Sequence, residues 1–417
     1  MSFITSLTRT WLTRSAKPFI FKNEYDSILP FGECNNLGLY VHIPFCKSIC
    51  DFCPYCKTLY NEELCNKYID SLIKEIHLVG SQQNGKKEAT SLYFGGGTPA
   101  LAANRIKEIV DALSEHFIIS DGIGVELHPD NVNVETLSTL KAAGVTKISI
   151  GIQSFCEKYQ TILGRKKIDT EKIADALSSV QFETVSMDFI FALPGQTFDD
   201  LKSDIDTAFS LGANHVAIYP FIDFTFTKSE VKTMSKKEKK KLLDEITSYC
   251  IGKGYTRESI WTFSSESGAN YSSMTRENFL GFGCSATTLL RGQFKINTFD
   301  ANEYCKRIDA EKLPTSLTLR FEKCQRMIYW LFWTAYSTRV SKKDFESFFG
   351  VPLKKMYGFE ISLAKLLGFI RESDGIYEMT LRCAFYYHYY ENFYTLSYID
   401  KMWGIMRKEA FPEKIEL

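Results

Sequence analysis

The sequence predicts an α/β fold, a partial or full (β/α) barrel of parallel strands with a smaller α-rich C-terminal domain. Three observations carry this expectation. Short β-rich runs alternate with amphipathic helical stretches from Leu37 to about Phe263. Repeated βα units connect by crossovers, which pairs their strands in parallel. Near residue 300 the alternation stops and helical patterns take over.

The predicted strands are 38–43, 90–94, 122–127, 146–150, 184–190 and 215–219, separated by helices near 61–79, 102–117, 134–143, 170–181 and 198–211. In such folds the active site lies at the C-terminal ends of the strands. Three motifs fall there: a cysteine cluster after the first strand, Gly95-Gly96-Gly97-Thr98 after the second and Glu126-Leu127-His128-Pro129 at the third. The charge run Lys236–Lys241 precedes Leu242, Leu243 and Ile246 at helical spacing and reads as the solvated face of a helix. We expect an N-terminal amphipathic extension over 1–36, the barrel over 37–300 and the C-terminal domain over 301–417, with a short hairpin around 370–379.

At 417 residues and 45% hydrophobic content the chain buries a core without disulfide staples. Fifty basic and fifty acidic residues give zero net charge, which disfavours a dedicated nucleic-acid binder. The aromatic stretch Met327–Tyr336 is too short to span a bilayer. Residues 1–23 hold no acidic residue and carry Arg9, Arg14, Lys17 and Lys22, while Phe3, Ile4, Leu7 and Trp11 share a helical face. Three readings stay open for this segment: a helix docked on the domain, an interfacial helix on an anionic membrane, or a transit peptide.

Twelve cysteines are too sparse for a secreted disulfide scaffold, but Cys46, Cys50, Cys53 and Cys56 fall within eleven residues. Cys46, Cys50 and Cys53 form a C-x3-C-x2-C run on one loop, and soft thiolates suit an iron–sulfur cluster with one iron left open. A zinc site closed by Cys56 is the alternative, although no second knuckle or nearby histidine pair accompanies it.

Tyr40-Val-His-Ile-Pro-Phe-Cys46 and the cysteine run resemble the radical S-adenosylmethionine enzymes, within them the oxygen-independent coproporphyrinogen III oxidase-like branch. That branch also holds haem chaperones, anaerobic haem-opening enzymes and class C methyltransferases. The resemblance continues through Leu92–Pro99, Ile148–Phe155, Leu163–Arg165, Asp188–Thr197, His215–Tyr219 and Gly281–Ala286. It implies a [4Fe–4S] cluster on Cys46, Cys50 and Cys53, whose open iron chelates S-adenosylmethionine. An electron donor such as flavodoxin or ferredoxin then drives cleavage to a 5′-deoxyadenosyl radical. By the same resemblance, Gly95, Gly96, Gly97 and Thr98 admit the methionyl end, and Glu126 meets the amino group. Arg165 meets the carboxylate, Asp188 lies near the ribose and Tyr40 orients the sulfonium.

Phe52, Gln153, Ile190 and Ala217 resemble positions that hold a second S-adenosylmethionine. The oxidase carries an extra cysteine two residues past the last ligand; here that place is Tyr55, and Cys56 follows. Cys56 is therefore a candidate catalytic thiol, an exposed one, or a packed one. His128 is a candidate proton donor or substrate contact, or a satisfied buried histidine. Nine aromatic residues between Phe385 and Trp403 form either a core helix plugging the barrel mouth or a lid over an apolar pocket.

The expected activity is radical methyl or methylene transfer, from a second S-adenosylmethionine, to an sp2 carbon of a conjugated, lipophilic small molecule. Oxidative decarboxylation of coproporphyrinogen III and haem delivery by a chaperone are the alternatives. A cytoplasmic location is expected, with peripheral membrane contact through residues 1–23 and no nucleic-acid partner.

Overall fold

The computed structural model describes residues 3–229, 231–265 and 277–417, with side chains from Ser6 onward. Six strands form its parallel sheet: β1 (Leu37–Ile43), β2 (Ser91–Gly96), β3 (Ile123–Leu127), β4 (Lys147–Gln153), β5 (Thr184–Phe191) and β6 (His215–Pro220). They lie side by side in chain order, each parallel to the next. The crossovers carry α1 (Glu62–Gly80), α2 (Ala103–His116), α3 (Val134–Ala142), α4 (Thr170–Ser179) and α5 (Phe198–Ser210). Strand β5 reads Thr-Val-Ser-Met-Asp-Phe-Ile-Phe and is buried almost throughout, as a parallel strand covered on both faces must be. Asn61, Asn133, Asp169 and Thr197 cap α1, α3, α4 and α5 by accepting backbone N–H bonds that the first turns leave unpaired.

The sheet does not stop where the βα alternation stops. Strand Asn278–Phe282 lies parallel to β1, and Thr287–Leu290, Gln293–Asn297 and Thr315–Arg320 continue from it antiparallel. Ile20–Lys22 and Lys414–Glu416 complete that edge, so the sheet crosses both expected boundaries, near 36 and near 300. These strands are joined without βα crossovers, and several of their buried residues are polar, among them Thr288, Gln293, Lys295 and Thr318. Hydrophobic periodicity is silent about such strands. Among the described residues both ends of the sheet are open, which makes the barrel partial. A smaller core of Met327, Trp330, Phe345, Phe349, Leu353, Tyr357 and Tyr377 sits inside the C-terminal region. Its hairpin, Ile370–Ser373 with Ile376–Met379, is the expected one.

The N-terminal helix Phe3–Thr13 docks on the body; the side chains of Phe3 and Ile4, half of its expected apolar face, lie outside the described residues. Arg9 reaches the carbonyl of Leu417 (2.9 Å), Arg14 pairs with Glu360 (2.6 Å) and Lys17 with Glu322 (2.7 Å). The charge run opens the helix Lys236–Gly252 as expected, except that Lys239 is buried rather than solvated. No described helix is long and apolar enough to cross a membrane.

Helix α1 does more than cover the sheet. Glu75 is fully buried and accepts from Gly283 N (2.7 Å), Tyr304 OH (2.7 Å) and Asn297 Nδ2 (3.3 Å). Tyr68, from the same helix, accepts from Cys284 N (2.8 Å) and donates to the His42 carbonyl (2.8 Å). Burial pushes the Glu75 carboxyl up to about 7, against the three donors that favour its anion. The folded state therefore binds a proton that the unfolded state releases between about pH 4.5 and 7, and stability falls as pH rises through that window. The size of that fall is on the order of 3 kcal/mol. Glu75→Gln is expected to remove most of it, measured by urea unfolding of both proteins across the window; an unchanged slope would refute the assignment.

Candidate functional site

The site begins where β1 ends. The chain leaves Ile43 through Pro44 and Phe45 and passes directly over the glycine segment that ends β2. Gly97 N donates to Ile43 O (2.8 Å) and Thr98 N to Phe45 O (2.8 Å). A Cβ on Gly97 would lie 2.6 Å from Phe45 O, and one on Gly96, whose φ is +120°, would lie 2.7 Å from the His42 ring. At Gly95 it would come within 3.1 Å of Tyr40 and Glu126. The three glycines, expected to make room for a ligand, are thus required first by the protein's own backbone and rings.

The loop beyond carries the thiols. Thr98 Oγ1 lies 3.9 Å from Cys46 Sγ, and Lys57 Nζ donates to the carbonyls of Cys50 (2.8 Å) and Cys53 (3.0 Å). Burial pushes the Cys46 thiol up to about 11, and the neighbouring Cys53 and Cys50 push the same way while Thr98 opposes. Cys46, Cys50 and Cys53 face one region without forming a set whose sulfurs all lie within 4.8 Å of one another. A single zinc ion needs ligands that close, whereas a cube of four irons spaces them wider. The donor set fits a [4Fe–4S] cluster.

Cys56 does not join this set. It is 7% exposed and donates to Phe299 O (3.1 Å); its sulfur groups with His42 and Cys284. The structure therefore gives the packed reading of this thiol. His42 ties the region together: Tyr40 OH lies 3.0 Å from its Nδ1, and the Cys56 carbonyl and Ser285 Oγ lie 3.1 Å and 3.2 Å from its Nε2.

Two carboxylates project into the barrel. Glu126 accepts from Tyr93 OH (3.1 Å) and Gly96 N (3.2 Å), and burial raises its pKa. Asp188 accepts from Ser149 Oγ (2.7 Å) and Ser186 Oγ (3.2 Å); burial, aided by the charge of Glu126, pushes it up to about 7. Ala217 lies opposite Asp188 in register, and Ile190 is buried two residues further along β5. Arg165 donates to Gly151 O and spreads its guanidinium over the Phe52 ring at 5.6 Å, leaving its buried Nε without a partner. Gln153 ends β4 in the left-handed region at φ +72°. Two raised carboxyls and an orphaned guanidinium N–H fit a ligand with an ammonium, a sulfonium and a carboxylate, which describes S-adenosylmethionine.

His128 caps the turn Pro129–Asn131, its Nδ1 accepting from Asp130 N (3.3 Å). Burial and the charge of Arg165 push it down to about 4, so it is neutral at pH 7. Tyr55 was not singled out as a site residue; it stands half-exposed on the cysteine loop, near Glu126, Cys53 and Asp188. The aromatic C-terminal segment closes over this loop. Trp403 meets Tyr55 at 6.0 Å and stacks on Phe224 at 6.3 Å, and Arg407 donates to Pro54 O. Asp400 latches it by accepting from Thr225 N and Oγ1, both at 2.7 Å. Ser149, Ser186 and Tyr93 were also missed, although period-two spacing places Ser186 on the same strand face as Asp188.

These placements separate the four clustered cysteines by experiment. Cys46→Ala, Cys50→Ala or Cys53→Ala is expected to abolish the visible iron–sulfur absorbance after anaerobic reconstitution, whereas Cys56→Ala retains it. Loss in Cys56→Ala alone would reverse the ligand assignment.

Comparison with known proteins agrees with this geometry. The Radical SAM superfamily profile matches residues 40–208. The haem chaperone HemW of Bacillus subtilis is 26% identical over 358 residues, 82% of this chain and 94% of that protein. The oxygen-independent coproporphyrinogen III oxidase of Pseudomonas aeruginosa is 25% identical over 306 residues, 66% of each chain. The solved structure of the coproporphyrinogen III oxidase HemN from Escherichia coli shares the fold, with a TM-score of 0.74 at 20% identity over 88% of this chain and 94% of that one. Residues 40–208 carry a radical S-adenosylmethionine domain, of the kind that uses a [4Fe–4S] cluster and S-adenosylmethionine, and the chain is similar to the haem chaperones and oxygen-independent coproporphyrinogen oxidases.

Proposed function

We propose that this protein binds a tetrapyrrole at the barrel mouth and serves haem delivery, as a chaperone-type member of its branch. The observation that carries the reading is the extent of likeness to the haem chaperones, which runs along most of both chains. The methyl-transfer expectation draws no comparable support. Coproporphyrinogen decarboxylation is the second reading, favoured by the oxidase matches. Against it, Tyr55 stands where the oxidase places its extra cysteine, and the Cys56 thiol is packed against Phe299 O.

Within this reading, the cluster and S-adenosylmethionine supply reductive cleavage of the sulfonium when bound. The chain's own residues do the rest. Glu126 and Asp188 accept hydrogen bonds from the ligand's donors, Arg165 meets its carboxylate, and Tyr55 with Trp403 presents aromatic faces for a flat macrocycle to stack on. The latch of Asp400 on Thr225 holds the covering segment against the loop.

The discriminating experiment is anaerobic reconstitution, haem titration by absorbance, and product analysis of S-adenosylmethionine turnover. Saturable haem binding without decarboxylation of coproporphyrinogen III supports the proposal, and Trp403→Ala is expected to weaken that binding roughly tenfold. Formation of S-adenosylhomocysteine together with 5′-deoxyadenosine would restore methyl transfer, and decarboxylation without haem binding would establish the oxidase reading.

Peripheral membrane contact remains part of the proposal. Leu7, Trp11, Phe359, Leu363 and Leu366 are exposed, and Trp11 meets Phe359 at 6.1 Å beside the exposed Lys354 and Lys355. Co-sedimentation with anionic phospholipid vesicles is expected for the intact chain and lost in Trp11→Glu; equal sedimentation of both would refute it.

A further inference from the structure

We propose that His77, Glu115 and His116 form a surface site for a divalent transition-metal ion of zinc's chemistry, stapling the C-terminal ends of α1 and α2. His77 Nδ1 and His116 Nε2 lie 3.0 Å apart, and Glu115 Oε2 lies 3.8 Å from His77 Nδ1. One ligand atom from each residue falls within 4.8 Å of the other two. The two imidazole rings meet edge to face, with centroids 5.3 Å apart and planes at 74°. That orientation turns ring nitrogens toward one another.

Coordination chemistry makes this spacing informative. Zinc–nitrogen bonds of about 2.0–2.1 Å in a tetrahedral site put neighbouring ligand atoms roughly 3.3 Å apart, close to the separations found. Two histidines and one carboxylate leave a fourth position for water. Burial and the nearby His77 lower the pKa of His116, which keeps its lone pair available at neutral pH.

The helices themselves prepare the site. His77 lies in the last turn of α1, and His116 is the final residue of α2. Both ends carry the negative pole of the helix dipole, which favours a cation. The His116 ring lies directly on the end of α1: a Cβ on Gly80 would sit 2.2 Å from His116 Cγ. Gly80 therefore permits the approach that brings the two rings together. The barrel helices run back against the strands, so these helix ends lie away from the cysteine loop at the strands' C-terminal ends. The staple acts on stability.

The test uses the full chain with its iron–sulfur cluster reconstituted, so that Cys46, Cys50 and Cys53 are occupied. Zinc chloride is titrated by calorimetry and thermal unfolding is followed with and without it. One equivalent is expected to bind and to raise the unfolding midpoint by several degrees. His77→Ala is expected to weaken binding at least roughly tenfold. Gly80→Ala retains all three ligands and is expected to weaken it too, because the added methyl displaces the His116 ring. Cobalt(II) provides a ligand signature: d–d bands without thiolate charge transfer support a histidine–carboxylate site. Absence of stoichiometric zinc binding, full binding by His77→Ala or Gly80→Ala, or a thiolate-to-cobalt band would each overturn the proposal. Far-ultraviolet circular dichroism and the cluster absorbance verify that each variant is folded.

Discussion

The close passage of the Pro44–Phe45 backbone over Gly96 and Gly97 is the constraint on which the rest of the site depends. The loop bearing the three thiols has little regular structure beyond the short pairing of Phe45–Cys46 with Thr58–Leu59 and needs anchoring to keep a fixed place. It is joined to the glycine segment of the neighbouring strand by Gly97 N to Ile43 O and Thr98 N to Phe45 O, and closed on itself by Thr58 N to Pro44 O. At Gly97 the backbones approach more closely than a side chain allows, hence the glycine. From that seam the His42 ring fits beneath Gly96, Thr98 reaches Cys46, and Lys57 closes the loop over its own carbonyls.

The buried carboxyls follow a complementary logic. Glu126 and Asp188 sit in a region that desolvates both, and the charge of Glu126 makes ionisation of Asp188 harder still. Left alone, such a pair is a cost, only partly offset by Tyr93, Gly96, Ser149 and Ser186. A cationic ligand reverses the sign. Its ammonium and sulfonium charges favour the anionic carboxylates, so binding returns part of the free energy stored by burying them. Arg165 rests on Phe52 with an unpaired Nε, and in the reading proposed above it supplies the opposite charge for the ligand's carboxylate.

How much of this was legible in the sequence follows from the range of each interaction. The six βα units and the thiol run are local patterns, and strand and helix positions lie within a few residues of those expected. The edge strands at 20–22 and 414–416 are partners nearly four hundred residues apart, and neither is long enough to show a period. The direction of Cys56 was likewise beyond reach, because spacing in a loop does not say which way a side chain turns. The position of the glycine triplet at the end of β2 was legible, whereas its close contacts with His42 and Phe45 of the neighbouring segment were not. The His77–His116 contact, 39 residues apart, exists only because α1 and α2 pack as neighbours.

The C-terminal segment then determines what can reach the cluster loop. The aromatic run offered two readings, a core plug and a pocket lid, and the contacts join them in one element. Its first part packs inward, with Tyr387 stacked on Phe332 and donating to the Phe332 carbonyl. Its last part turns onto the site through Trp403, Asp400 and Arg407. The latch holds the segment by side-chain bonds to Thr225 and by one guanidinium on Pro54 O, rather than by sheet pairing. Tyr398, Met402 and Met406 of the same segment are buried in the main core, so the cover over the thiol loop is fixed by the barrel's own packing as well as by the latch.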